Sequence, residues 1–207
     1  MRDWIARYQG EAGVDQALVL AGNAATPRGE FGSSMQLLQT GLFDDADFRH
    51  LQIAGHPEGN RDIDPDKGSR NADAALLWKQ EFARQSRAEV AIVTQFCFAE
   101  APVLDWIARL RRIGVSLPVH LGVAGPAKLQ TLIKYAMTCG VGPSLSVLQR
   151  RAMDLTQLVK PYEPTEMLER LAEVQGEGSL VPDKVHLFPL GGIAASAAYL
   201  ARYREAT

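Results

Sequence analysis

The sequence has neither a long apolar run nor a large excess of charge of one sign. No run approaches the ~18 consecutive apolar residues that a membrane-spanning helix needs, and the formal net charge of the 207 residues is only -2. The basic pairs Arg111–Arg112 and Arg150–Arg151 are isolated, whereas nucleic-acid binding relies on clustered Lys and Arg. We therefore expect a protein that neither crosses a membrane nor binds nucleic acid.

Cysteine is also scarce, since the chain contains only Cys97 and Cys139. No signal-peptide pattern precedes them, so we expect reduced thiols and a cytoplasmic protein, with Cys97 packed in the core. The sequence contains no GxSxG motif around a serine and no GxGxxG fingerprint. A serine hydrolase and a Rossmann-type dinucleotide site are therefore without support.

Short apolar runs alternate with helical patterns along the chain, which we treat as one domain, residues 1–207. This alternation is typical of an α/β fold in which helices connect the strands of a parallel sheet. A barrel and an open doubly wound sheet satisfy it equally well, but five strands are too few to close the usual eight-stranded barrel. The predicted strands are 17–23, 51–55, 90–96, 117–123 and 184–189, and the predicted helices include 71–85, 126–139, 143–158 and 165–174.

Polar side chains follow two of these strands where each strand ends. Gln95 lies at the exit of the third strand, and His56 and Glu58 follow the second. Ligands of parallel α/β sheets lie outside the carboxyl ends of the strands. An amide offers donors and an acceptor to a heterocyclic ligand, and an imidazole can titrate or lie against an aromatic ring. From the spacing alone, a Gln95 that is hydrogen-bonded only to a neighbouring loop is an equally good interpretation.

The histidines raise the question of a metal site, because imidazoles at the strand ends of barrels often bind zinc. No pair has the HxH or HxxxH spacing of metal ligands, and we expect His50 and His186 at the amino-terminal ends of their strands, away from the site. We therefore predict no metal. The four histidines are His50, His56, His120 and His186.

Two motifs in a fixed order resemble the methylenetetrahydrofolate reductase family: AGHPEG at 54–59 and VTQFCF at 93–98. The likeness extends from Asp15 to Tyr199 and includes LVLAGN, LPVHLGVAGP and VHLFPLGG. In that family a TIM-type (β/α)8 barrel binds FAD, NAD(P)H reduces the flavin, and the flavin passes hydride to a folate. Since this chain begins on the helix before the family's fourth strand, the resemblance implies an incomplete barrel that lacks the first three βα units.

The resemblance assigns roles to individual residues. Gln95 matches the glutamine that contacts the pterin of the folate substrate. His56 lies where the family has Tyr or His beside the flavin, and Glu58 belongs to the same loop. Lys79 or Arg84 matches a cation for the FAD phosphates.

The resemblance also implies two departures. Gly22 and Asn23 match a Gly-Asp pair next to the flavin ring, so an amide replaces a carboxylate that tunes the flavin. The glutamate that the family uses as general acid belongs to the missing units, and no catalytic residue is assigned here.

The leading hypothesis is a methylenetetrahydrofolate reductase-like flavoprotein oxidoreductase. It would use NAD(P)H to reduce 5,10-methylenetetrahydrofolate to 5-methyltetrahydrofolate in one-carbon and methionine metabolism. The alternative is a truncated, non-catalytic half-barrel that binds a folate or pairs with a second copy, because five strands leave two open sheet edges. We expect a homo-oligomer in either case. A metal-dependent hydrolase is a third and weaker hypothesis.

Overall fold

Five parallel strands form a sheet in which neighbours in space are also neighbours along the chain. The computed structural model describes residues 1–21, 29–139, 146–149, 153, 161–176 and 181–206. The strands are β1 (Gln16–Val19), β2 (His50–Gly55), β3 (Glu89–Thr94), β4 (Val119–Ala124) and β5 (Lys184–Phe188). The helices are α1 (Arg2–Ala12), α2 (Ser34–Gln39), α3 (Leu42–Asp45), α4 (Arg70–Gln85), α5 (Ala101–Arg112), α6 (Leu129–Cys139), α7 (Thr165–Gly176) and α8 (Ile193–Ala206).

The consecutive strand order distinguishes between the two architectures that satisfy the sequence pattern. In a doubly wound sheet the order reverses at a switch point, whereas here each strand pairs in parallel with the next one along the chain. Crossover connections of one hand place the helices on the same side of the sheet, and the sheet curls into a half-barrel. The prediction of about five parallel strands alternating with helices is confirmed.

β2 shows that the sheet has one covered and one open side. Leu51 and Ile53 are fully buried and belong to the main apolar cluster, together with Leu76 of α4. Gln52 and Ala54 alternate with them and are only half-buried. Because successive strand residues point to opposite faces, the first pair lies under the helices and the second pair lies on the concave side.

Two helix boundaries follow directly from residue chemistry. The side chain of Ser33 accepts a hydrogen bond from the N–H of Gln36 at 3.3 Å and so caps α2. Gly13 ends α1 in the left-handed conformation, with φ of 61°, which costs glycine little because it has no Cβ. Ser33 thus sets the start of α2, and Gly13 releases the chain from α1 shortly before β1 begins at Gln16.

α6 begins later than the predicted start at residue 126. Ala127 and Tyr162 form an isolated antiparallel bridge, in which each N–H donates to the other's carbonyl oxygen, at 3.3 Å and 2.9 Å. The segment before Leu129 is therefore extended rather than helical. The predicted helix over 143–158 lies largely outside the described residues.

A second apolar cluster lies at the carboxyl ends of β3, β4 and β5. It is aromatic: the rings of Phe96 and Phe98 are 5.8 Å apart, and Phe98 packs edge-on against Tyr162 at 5.1 Å. Phe188 of β5 contacts Phe96 at 6.2 Å. Edge-to-face pairs of this kind add to the free energy gained by burial, so the residues just beyond Gln95 are firmly anchored.

The longest of the described helices is α4, with 16 residues. It carries charged side chains at positions such as Asp73, Glu81 and Arg84. Neither α4 nor any other helix in the described part of the chain combines the length and the apolar character needed to cross a bilayer.

Candidate functional site

β2 and β3 end side by side, and this end of the sheet holds the predicted site. The two strands pair over six residues, up to Gly55 and Thr94. One step further, the N–H of Gln95 donates to the carbonyl oxygen of Gly55 at 2.9 Å. Because His56 follows Gly55 directly, this bond brings Gln95 alongside His56.

The other side of β3 is irregular, because the strand carries one extra residue opposite β4. Val93 pairs with His120, and the next bridge joins Cys97 to Val123. The four residues that follow Val93 up to Cys97, of which the last three extend beyond β3, therefore face only three residues of β4. Such a β-bulge re-aims a side chain and is common next to active sites. Gln95 lies inside this bulge.

Thr94 closes the bulge with its side chain. Its Oγ1 accepts the N–H of Gly122 and donates to the carbonyl oxygen of Gln95, both at 2.8 Å. The residue is 1% exposed, so these bonds replace a strand-to-strand bond that the bulge has displaced. Beyond it, the N–H of Cys97 donates to the carbonyl oxygen of Gly122 at 3.0 Å, and β3 again pairs with β4.

Because Gly122 has no side chain, the bulged backbone at Thr94 and Gln95 can pack directly against it. A Cβ at this position would overlap the carbonyl oxygen of Thr94 and would lie 3.0 Å from that of Gln95. It would also lie 2.7 Å from the ring of Phe188. Two of these three neighbours are backbone atoms, so glycine is needed here for close approach.

In the side-chain amide of Gln95, the oxygen is hydrogen-bonded and the nitrogen has no acceptor among the described residues. Its Oε1 accepts the N–H of Phe96 at 3.1 Å, which fixes the orientation of the amide because only the oxygen can accept. Its Nε2 donates to none of the described residues, and the side chain is half-buried. Gln95 is therefore bonded locally, and its Nε2 group is left without an acceptor among the described residues.

Lys79 lies close enough to His56 for its charge to act on the imidazole. Lys79 is 6% exposed although it lies on α4, and burial lowers the pKa of its amine. Burial, and secondly the charge of Lys79, lower the pKa of the half-buried His56, so the imidazole is neutral near pH 7. Among the described carboxylates none pairs with Lys79, and a buried amine without an anion is unusual.

Glu58 lies close enough to the bulge to act on Cys97. Burial raises the pKa of the Cys97 thiol strongly, the charge of Glu58 raises it further, and a hydrogen bond with Thr94 opposes these effects. The thiol therefore stays protonated and is a core residue, as the sequence indicates, rather than a nucleophile. The loop that follows β2 thus returns over the end of β3.

Asp64 anchors this loop to α4. It is 3% exposed, and its two carboxylate oxygens accept the N–H groups of Asn71 and Ala72 at 2.9 Å and 3.0 Å. A carboxylate at a helix N-terminus satisfies unpaired donors and interacts favourably with the helix dipole. The anchor fixes the loop that carries His56 and Glu58.

Sequence reasoning missed three residues that shape the site: Thr94, Gly122 and Asp64. In the sequence, Thr94 looks like any β-branched strand residue, and Gly122 looks like any glycine near the end of a predicted strand. Asp64 gave a weak signal, as an acidic residue shortly before a predicted helix. Their roles depend on partners that are distant in sequence, or on the pairing register of β3 and β4, which the sequence alone does not reveal.

The remaining predicted site residues are not brought together with these. Arg84 lies near the end of α4 that leads into the amino-terminal end of β3, where it pairs with Glu81 at 2.8 Å, so it lies away from Gln95. Gly22 and Asn23 lie outside the described residues. Of the two cations suggested for the FAD phosphates, only Lys79 has a charge that acts on His56.

The histidines show one departure from expectation. His50 begins β2, as expected, but His186 lies in the middle of β5, opposite Gly122, and not at the amino-terminal end of its strand. Burial is the main cause that lowers the pKa values of His120 and His186. Across the described ranges, no three His, Cys, Asp or Glu side chains converge to hold a metal ion.

No family model matches this chain. The likeness to methylenetetrahydrofolate reductases therefore depends on the quoted motifs and on the geometry of the residues within them. That geometry fits the ring end of a flavin and one phosphate. A neutral His56 can lie against an aromatic ring, and the buried amine of Lys79 lacks an anion that a phosphate would supply.

Proposed function

We propose that this chain is a methylenetetrahydrofolate reductase-like flavoprotein with an incomplete TIM-type barrel. It reduces 5,10-methylenetetrahydrofolate to 5-methyltetrahydrofolate with NAD(P)H. The observation that carries the proposal is the bond from the Gln95 N–H to the Gly55 carbonyl oxygen at 2.9 Å. It joins the two motifs of the resemblance into one site at the end of the sheet where ligands bind.

Each residue of the site has a distinct task in this proposal. The Nε2 group of Gln95 donates a hydrogen bond to the pterin ring of the folate and orients it. The neutral imidazole of His56 lies beside the flavin ring without placing a charge there. Lys79 holds a phosphate of FAD and thereby gains the anion that it lacks among the described residues.

The protein orients the reactants, while the cofactor carries the chemistry. FAD held here would supply the hydride-transfer chemistry between NAD(P)H and the methylene group of the folate. We assign the proton that opens the folate ring to no described residue, because Glu58 belongs to the cofactor surroundings. Cys97 and Cys139 are free thiols, which suits a reducing compartment such as the cytoplasm.

The decisive experiment is an absorbance spectrum of the purified protein after incubation with FAD and removal of the excess. Retained flavin that loses its visible absorbance on anaerobic addition of NADH is the expected result. Lys79→Met should weaken flavin retention, whereas Arg84→Met, the matched control on the same helix, should not. Failure of the unaltered protein to retain any flavin would contradict the proposal.

The sheet edges favour a second candidate, a non-catalytic half-barrel that associates with another copy. In the described part of the chain β1 and β5 each pair on one side only. Leu20, which follows β1, is 54% exposed, and Val185 of β5 is 49% exposed. Open edges of this kind promote pairing between chains. Sedimentation of the flavin-free protein as a stable dimer without any flavin binding would favour this candidate over the first.

A further inference from the structure

The bulge in β3 raises the question of what maintains it. An extra residue breaks the regular ladder and leaves backbone groups to be satisfied in other ways. Here the N–H of Gly122 finds its acceptor in the hydroxyl of Thr94 at 2.8 Å rather than in a β3 carbonyl. The same hydroxyl donates to the carbonyl oxygen of Gln95 at 2.8 Å. One side chain therefore bonds to both strands at the bulge.

The bulge also determines which group of Gln95 faces a ligand. Within the bulge, the N–H of Phe96 donates a hydrogen bond to the Oε1 atom of Gln95 at 3.1 Å. Phe96 is itself held by rings on either side, Phe98 at 5.8 Å and Phe188 at 6.2 Å. The amide is thus kept in one orientation, and only the Nε2 donor remains for a ligand.

We infer that Thr94 is a positioning residue that holds the β3 bulge, so that Gln95 meets its ligand only as a hydrogen-bond donor. The ligand group at this point is an acceptor, that is, a ring carbonyl oxygen or an unprotonated ring nitrogen of a heterocycle. This inference rests on the proposed function for the identity of the ligand as a folate. The role of Thr94 itself depends only on the contacts of the bulge.

The test compares Thr94→Val, which keeps the shape and removes the hydroxyl, with Thr94→Ser, which keeps the hydroxyl. Amide hydrogen exchange of the Gly122 N–H should become about tenfold faster or more in Thr94→Val, because the N–H loses its buried acceptor. Thr94→Ser should restore slow exchange. Thr138→Val removes a helix-surface hydroxyl that bonds to the Lys134 carbonyl oxygen at 2.9 Å, and it should leave Gly122 unaffected.

Binding of folic acid in the presence of FAD supplies the functional readout. Thr94→Val should raise the Kd about tenfold, and Thr94→Ser should return it close to the original value. Gln95→Glu keeps an acceptor for the N–H of Phe96 but replaces the free donor by an oxygen. It should raise the Kd at least as much as Thr94→Val and leave the exchange of Gly122 unchanged.

The outcomes separate this inference from the proposed function. Absence of folic acid binding by the unaltered protein contradicts the proposed function and the ligand named here. Unchanged Gly122 exchange in Thr94→Val overturns the positioning role, whether or not folic acid binds. Tight folic acid binding by Gln95→Glu overturns the statement that Gln95 acts only as a donor.

Discussion

The two sides of β3 differ in regularity. On the β2 side, six consecutive residue pairs follow one register without interruption. On the β4 side, two pairs are followed by a slip of one residue before the strands meet again at Cys97 and Val123. The same strand thus forms an ideal ladder with one neighbour and a bulged ladder with the other.

This difference separates what the fold needs from what the site needs. The regular side joins apolar residues such as Ile53 and Ile92, which are fully buried, in an uninterrupted parallel ladder. The bulged side needs a threonine hydroxyl and a glycine without a Cβ, namely Thr94 and Gly122. Departures from ideal geometry that need special residues mark functional sites more often than scaffold.

The largest expected effect comes from Gly122→Ala, which tests the bulged side. The new methyl group would meet the carbonyl oxygen of Thr94, a backbone atom that cannot turn away. We expect a loss of about 3 kcal/mol in the free energy of unfolding, at the upper end for overpacking, measured by urea denaturation. Gly10→Ala is the control, because a Cβ there meets nothing within 4 Å and alanine should stabilise α1 by about 0.5–1 kcal/mol.

Gly55→Ala is the matching change on the regular side and should cost less. A Cβ at Gly55 would lie 2.6 Å from Cγ2 of Ile92 and 2.7 Å from the ring of Trp106. Both are atoms of buried side chains, which yield more readily than backbone, so we expect a loss of about 1–2 kcal/mol by the same denaturation measurement. A loss equal to that of Gly122→Ala would mean that the bulge adds no special constraint.

The regular side was predictable from the sequence, and the bulged side was not. Apolar runs that turn polar at Gly55–His56 and Thr94–Gln95 indicated both strand ends to within about two residues. The extra residue cannot be read from VTQFCF, because a bulge is a property of two strands together. Strand order, and with it the half-barrel, likewise depends on pairings that a single sequence does not record.

The position of Lys79 in the sequence predicts its burial, although its charge suggests exposure. It lies three residues after Leu76 and three before Phe82, on the same face of α4 as these apolar residues. Residues at this spacing face the core, and Lys79 is accordingly 6% exposed. A lysine in the apolar stripe of a helix is a signal of function, because its charge is costly to bury.

Acid should destabilise the protein through three histidines on and beside the sheet. Burial is the largest cause that lowers the pKa values of His56, His120 and His186 in the folded state. In the unfolded chain these imidazoles return to the ordinary histidine pKa of about 6.5, so the unfolded chain binds more protons in acid than the folded protein does. The stability contribution is complete above about pH 6.5 and is lost as the pH falls towards the folded-state values.

The measurement is the urea midpoint from pH 7.5 down to pH 5. We expect it to fall gradually, by less than either glycine substitution causes, because His120 and His186 are partly solvated. His120→Gln and His186→Gln together should flatten the profile, since neutral amides take up no proton. A midpoint that rises on acidification over this interval would contradict the assignment of these pKa directions.

The smallest expected effect concerns His56, which follows β2 on the regular side. Lys79→Met should raise the pKa of this histidine. The amine charge repels the imidazolium form, so its removal makes protonation easier. Burial is the larger cause and remains, so the pKa should stay below the ordinary value for histidine. Lys184→Met is the matched control, because the charge of Lys184 lowers the pKa of His120 and not that of His56. NMR titration of the histidine ring protons should show each substitution acting on its own histidine, and an unchanged His56 in Lys79→Met would separate Lys79 from the candidate site.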